Sequence, residues 1–521
     1  MIWTLRVDFA LLVVRAALTA LALGLIATGW RLRRSGRGRK LHRLRMLALG
    51  VLATLGFASA YGFFAWRHPG GVQTHDFYHY YLNAKYFPEL GYFDLYKCTA
   101  AALAEEGRGP QKTRIRDLRG FLERTDVDTA ALGARCDEAF SSERWQAFRT
   151  DLRWFDSVFI GGQWKKVLKD QGYNASPVWT LVGRPVASVF PADNAPMRVL
   201  ARLDLVIVLV SFAFIGWAFG FEVLCIAALV WASNPLNRYF WIGDAFLRYA
   251  WFGACVIGIC LLRKQRHFGA GVLLALASLL RLFPVLFVVA YGAAAFRRWL
   301  RGDGFGHGFR EFALGAALAT LVLPLLAIPV CGRGTDVLSE FAANIGRWSS
   351  LTPSNSVGLP ALLSLTSRVR EPERVGDKAI RTQAQLQEAR DEAFAARRPI
   401  YVIVIALFLV LLWKALERVE DWEAACLGFV PILIWVDVPA YYASFMVAPA
   451  LLGEGRPRIG ITALVAMIGL CLATLIWWNE PFHWTVASPI LLLVALDALL
   501  EMRRPAARFQ AGRDPDGPPG P

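Results

Sequence analysis

Apolar runs of membrane-spanning length recur along almost the whole chain, and no other property restricts its fold so tightly. A helix needs about 20 apolar residues to cross a bilayer core, and backbone buried in lipid must satisfy its own hydrogen bonds. Runs at 7–30, 46–66, 199–219, 221–233, 241–262, 268–281, 284–297, 309–330, 399–416, 423–437, 440–452, 459–478 and 484–501 meet or approach that length. They predict an all-α polytopic membrane protein of about 13 transmembrane or re-entrant helices. An apolar fraction of 56% against 19% charged residues excludes an ordinary cytosolic enzyme and a disordered chain. The first run carries Arg15, is long, and precedes its basic block, so it reads as a retained span and not a cleaved signal peptide.

The formal charge of +16 is spread over short loops between these runs. RLRRSGRGRKLHRLR at 31–45 holds eight Lys/Arg and no acid, and RKQRH at 263–267, RRWLR at 297–301, RPR at 456–458 and Arg503–Arg504 follow. By the positive-inside rule these loops face the cytoplasm. A nucleic-acid surface would instead be one contiguous patch. With the N-terminus outside, residues 67–198 fall on the periplasmic or extracellular face of a plasma (inner) membrane. This large loop is nearly balanced in charge, and 141–169 has the periodicity of an amphipathic helix lying at the interface. The divisions expected are 1–45, an added span with its basic loop; 46–366, the main membrane module; 367–398, a charged external loop; 399–501, further spans; and 502–521, a Pro/Gly-rich disordered tail. Cys98 and Cys136 share the external loop, either as a disulfide or as two thiols. No His/Cys/Asp spacing reads as a metal site, and no cofactor is expected.

Two apolar stretches must turn back within the membrane. Phe268 to Phe296 is 29 residues with one charge, Arg281, and has basic loops at both ends. A straight helix of that length would run about 44 Å, longer than the bilayer core. RLFP at 281–284 supplies the break, because Pro284 cannot continue a hydrogen-bonded helix. WVDVPAYY does the same further on, placing Asp437, Tyr441 and Tyr442 near a second apex. An ionisable group in such a place is a functional candidate, with an Arg281–Asp437 pair or contact with interfacial water as the structural alternative.

The external loop opens with a dense polar cluster. Asp76 is its first carboxylate, bracketed by His75, Tyr78, His79 and Tyr80 as candidate sugar or acceptor contacts. Asp76 suits a general base deprotonating an acceptor hydroxyl; it equally suits the N-cap of a short helix.

These segments, in order, resemble the GT-C glycosyltransferase superfamily and, within it, glycosyltransferase family 87, the polyprenol-phosphate-mannose-dependent mannosyltransferase-like family. The carriers are DFYHYYLNAKYFPELGYFDLY at 76–96, SPVWTLVGRPVASVFP at 176–191, AGVLLALASLLRLFPVLFVVAYGAAAFRRW at 270–299, SNSVGLPALLSL at 354–365 and WVDVPAYYASFMVAPALL at 435–452. Arg281 stands where Lys is common in the family, and Tyr441 and Tyr442 where His is frequent. The resemblance implies a GT-C-like bundle and a membrane hexosyltransferase. It would move a mannose-like sugar from a polyprenyl-phosphate donor to a cell-envelope glycan or glycolipid acceptor. Asp76 would be its base, and Arg281 and Arg184 would hold the donor phosphate. A lipid-linked glycan flippase is the alternative, since broken helices also occur in transporters.

Overall fold

The structure, a computed structural model, describes residues 2–34, 39–64, 68–107, 115–119, 123–124, 136, 138–237, 243–349, 355–366, 379–476 and 480–504. The centre of the first basic loop, the first part of the charged segment at 367–378 and the tail from 505 onward lie outside the described residues. Helices dominate. The described strands are two short antiparallel ladders, Ile115–Arg116 with Glu123–Arg124 and Ser356–Val357 with Val438–Pro439.

Every apolar run contains helix. Six helical stretches are long and apolar enough to cross a membrane: Phe9–Gly29, Leu41–Ala60, Asn194–Phe219, His307–Cys331, Arg398–Ala415 and Pro457–Ile476. The others include the shorter Phe221–Ser233, Ala250–Arg263 and His267–Leu280. The run at 241–262 becomes helical only at Ala250, and 423–437 is split into Asp421–Cys426 and Phe429–Trp435.

Both expected hairpins turn back. His267–Leu280 ends at Arg281, whose backbone is extended (φ −145°, ψ 138°), and Val285–Leu300 begins after Pro284. The two feet meet on one carboxylate. Asp421 lies 3.1 Å from His267 Nε2, and it accepts hydrogen bonds from Arg298 (2.7 Å) and Tyr291 (2.9 Å). The second hairpin is closed at its base by Glu423 and Arg456, 3.8 Å apart, and Arg263 forks onto Glu454 with both contacts at 2.9 Å. Four of the five basic loops thus share one charged end of the bundle, Arg456 also donating to the carbonyls of Glu501 and Arg504.

Small residues set the helix spacing. A Cβ on Gly271 would sit 2.1 Å from the Phe312 carbonyl oxygen, and one on Gly315 would sit 2.2 Å from that of Phe268. Helices His267–Leu280 and His307–Cys331 therefore touch backbone to backbone, a contact only Gly permits. The first helix is part of the bundle: Arg15 donates to the Ser59 carbonyl (2.7 Å) and Thr19 to the Ser233 hydroxyl (2.6 Å).

The described residues between 68 and 198 form a packed region at the opposite end from the charged loops. Cys98 and Cys136 form a disulfide, with Cα atoms 5.6 Å apart. The amphipathic periodicity gives helix Ser142–Val158, N-capped by Ser141, and a separate turn of helix at Gln163–Val167. Its apolar face does not lie on a membrane surface. Trp145, Phe148, Leu152, Trp154 and Phe155 are buried against protein, with Phe148 on Tyr86 and Phe155 on Tyr78. Periodicity reports that a face is apolar, and here the partner is the loop itself.

Candidate functional site

The segment after the second span folds as helix Thr74–Phe77, a π turn at Tyr78–Leu82 and helix Asn83–Lys85. Such π turns recur at functional sites. At 100° per residue its polar side chains divide among three faces.

Asp76 and Tyr80 share one face. Asp76 does not cap the helix: Gln73 does, its side-chain oxygen accepting the Asp76 N–H at 2.9 Å. The Asp76 carboxylate is buried, at 4% exposure, with Oδ2 on the Arg248 guanidinium. Its second oxygen, Oδ1, is buried and has no hydrogen-bond partner among the described residues. Arg248 was not foreseen from the sequence, where it sits inside an apolar run. Asp204 fixes it by accepting the backbone N–H groups of Arg248 (3.1 Å) and Tyr249 (2.9 Å). Its approach passes Asp244 (φ 58°) and Leu247 (φ 53°), both in the left-handed region that non-glycine residues seldom occupy. Backbone of this kind clusters at functional sites. Arg202 pairs with Asp244 at 2.6 Å.

Arg281 reaches the same face from its hairpin apex. It donates to the Tyr80 hydroxyl (3.2 Å) and lies at the margin of contact with the Asn174 carbonyl (3.4 Å). Tyr80 in turn donates to the Asn174 side chain. The Arg281 guanidinium lies 5.6 Å from the ring centroids of Tyr80 and Tyr442, and that of Arg248 4.7 Å from Tyr441. No carboxylate among the described residues pairs with Arg281. Two guanidinium groups therefore flank the Tyr80 ring, and among the described residues Asp76 is the one carboxylate whose oxygen pairs with either guanidinium. Buried cations of this kind are costly unless met by an anion or by aromatic faces.

The Arg281–Asp437 pair, the structural alternative, does not form. Asp437 faces Ser356 and Arg390 instead, and Arg390 donates to Ser364 at 3.1 Å. Arg184 is also elsewhere: it donates to the Val330 carbonyl near the end of helix His307–Cys331, with Glu89 and Arg144 as its charged neighbours. A cation is favoured there by the helix dipole, which accounts for Arg184 without any ligand.

Tyr78 faces the core. It is fully buried, donates to Thr99 (2.9 Å) and packs against Phe155, Phe159 and Trp164, so the structure does not bring it to the face that Asp76 and Tyr80 share.

His75 and His79 occupy the third face and meet Asp170. Asp170 lies far along the chain from both histidines, so no sequence spacing could bring out this grouping. His75 Nε2 is 3.5 Å and His79 Nε2 4.0 Å from Asp170 Oδ2. The outer edge of His75 keeps 37% exposure, but protein encloses the rest of the ring. That desolvation first, and neighbouring His79 second, push its pKa down to about 4, so it is neutral at pH 7.

Compared with known proteins, the chain matches no family model, no curated protein and no solved structure.

Proposed function

We propose that this chain is an integral membrane glycosyltransferase of the GT-C type. It moves a mannose-like hexose from a polyprenyl-phosphate donor to a cell-envelope glycan or glycolipid. The observation that carries the reading is a buried carboxylate oxygen without a partner among the described residues, Asp76 Oδ1, beside two guanidinium groups for which those residues supply no other paired carboxylate. In the proposed step the acceptor hydroxyl gives its proton to Asp76 Oδ1 as its oxygen bonds the anomeric carbon. The bond from that carbon to the phosphate oxygen breaks, and the lipid phosphate leaves with the electron pair, inverting the centre. Arg281 and Arg248 stabilise the departing anion, a task suited to preorganised forked donors. Tyr80, Tyr441 and Tyr442 offer ring faces to the sugar. Arg184 drops out of the donor site.

In this reading the apolar helices and broken hairpins make thirteen passes or re-entrant arms. The charged end of the bundle faces the cytoplasm, and the Asp76 end faces the periplasm or exterior of the plasma membrane. A donor already activated and already in the bilayer suits a site there. The test is reconstitution with prenyl-phosphate-linked sugars and a cell-envelope lipid extract, followed by mass spectrometry. A product heavier by one hexose supports the transferase. Leaflet exchange without any mass change rejects it in favour of a flippase.

A further inference from the structure

The His75, His79 and Asp170 cluster has the construction of a metal centre. His75 and His79 are four residues apart, so their rings project from one helical face, with centroids 4.7 Å apart. The His79 tautomer follows from its neighbours. Nδ1 is 2.8 Å from the His75 carbonyl oxygen, which can only accept, so Nδ1 carries the proton. Nε2 is then the lone-pair nitrogen; it accepts from the Tyr96 hydroxyl at 2.8 Å, a bond that an incoming ion displaces, and that hydroxyl also accepts the Gly172 N–H at 3.0 Å. Metal-binding imidazoles are oriented in this way, with the far nitrogen bonded to a backbone carbonyl.

The third group is placed to complete the set. One ligand atom from each of the three residues lies within 4.8 Å of the others. Tetrahedral coordination with bonds of about 2.0–2.1 Å calls for ligand atoms roughly 3.3 Å apart. The 3.5 Å and 4.0 Å separations to Asp170 are close to that already. The widest separation in the set, up to 4.8 Å, is then between the two imidazoles, and His75, 37% exposed, has room to close it while Asp170, 44% exposed, adjusts to both. His79 is buried and fixed, and the exposed edges of His75 and Asp170 leave one coordination position toward solvent.

We propose that His75, His79 and Asp170 bind one divalent ion of the zinc class, with water in the fourth position. Two imidazoles and one carboxylate select such an ion over magnesium or calcium, which prefer oxygen ligands. The ion would tie the helix bearing Asp76 and Tyr80 to the 163–174 segment, whose Asn174 accepts the Tyr80 hydroxyl. It is a positioning site beside the pocket, and its existence does not depend on the transferase reading.

The experiment uses full-length protein in detergent, carrying no His tag and stripped with chelator. Zinc chloride is titrated calorimetrically, and bound metal is counted by elemental analysis. The expected result is one zinc per wild-type chain. Asp170→Asn and His75→Ala should each weaken binding by more than the roughly 10–100-fold that outer-shell changes cost. Zinc should raise the wild-type Tm and leave that of Asp170→Asn unmoved. Both substituted side chains are partly exposed, and Asp170→Asn is nearly isosteric, so it reports even if His75→Ala misfolds. Less than a tenth of an equivalent bound by wild type, or equal affinity in wild type and Asp170→Asn, overturns the proposal.

Discussion

Arg248 and Arg281 differ in how they are held, and the difference predicts different failures. Arg248 neutralises buried Asp76. Removing one partner of a buried pair strands the other charge, which typically costs about 3–5 kcal/mol. Arg248→Ala should therefore lower thermal stability in detergent sharply, whatever happens to activity; a loss under about 1 kcal/mol would mean that Asp76 is already solvated. Arg281 has no carboxylate to strand among the described residues. Arg281→Ala should leave the unfolding midpoint nearly unchanged while raising the donor KM, and Arg281→Lys should recover part of the loss. Adding Asp437→Ala should restore nothing, because Asp437 faces Ser356 and Arg390. Full rescue by the double variant would show a structural pair that forms in the working protein. Arg281 could be singled out in the sequence because it is the one charge in 29 apolar residues. Arg248 could not, since it sits near the start of a run that reads as an ordinary span.

At the scale of elements, what is local was legible and what is relational was not. Apolar length, Pro284 and the charge gap around Arg281 are properties of adjacent residues that located the first hairpin, as the WVDVPAYY stretch located the second. The periodicity of Ser142–Val158 was equally local, yet what its apolar face meets depends on Tyr78 and Tyr86, brought in from elsewhere in the fold. Asp170 joined His75 and His79 for the same reason. Helix spacing offers a test that is independent of function. Gly271→Ala places a methyl 2.1 Å from the Phe312 carbonyl oxygen, so His267–Leu280 must move away from His307–Cys331. Overpacking of this kind costs about 1–3 kcal/mol. Tm measured in detergent should fall accordingly, and an unchanged midpoint would contradict the backbone contact.

For the whole molecule, four of the five charged loops collect at one end and the Asp76 cluster lies at the other. Cysteine labelling checks the sidedness directly. A cysteine at Arg43 should be shielded from an impermeant thiol reagent in intact cells, and one at exposed Ser142 should react. The six unpaired native cysteines are buried and should contribute little background. The opposite pattern would place the pocket in the cytoplasm and remove the case for a lipid-linked donor. The most direct measurement of the central claim is the hexose-transfer rate of reconstituted Asp76→Asn against wild type. Asn keeps the shape and size of the side chain but cannot take a proton. The account predicts a loss of about 10²–10⁴-fold with the protein still folded. A variant that transfers sugar at more than roughly a tenth of the wild-type rate would show that Asp76 is not the base.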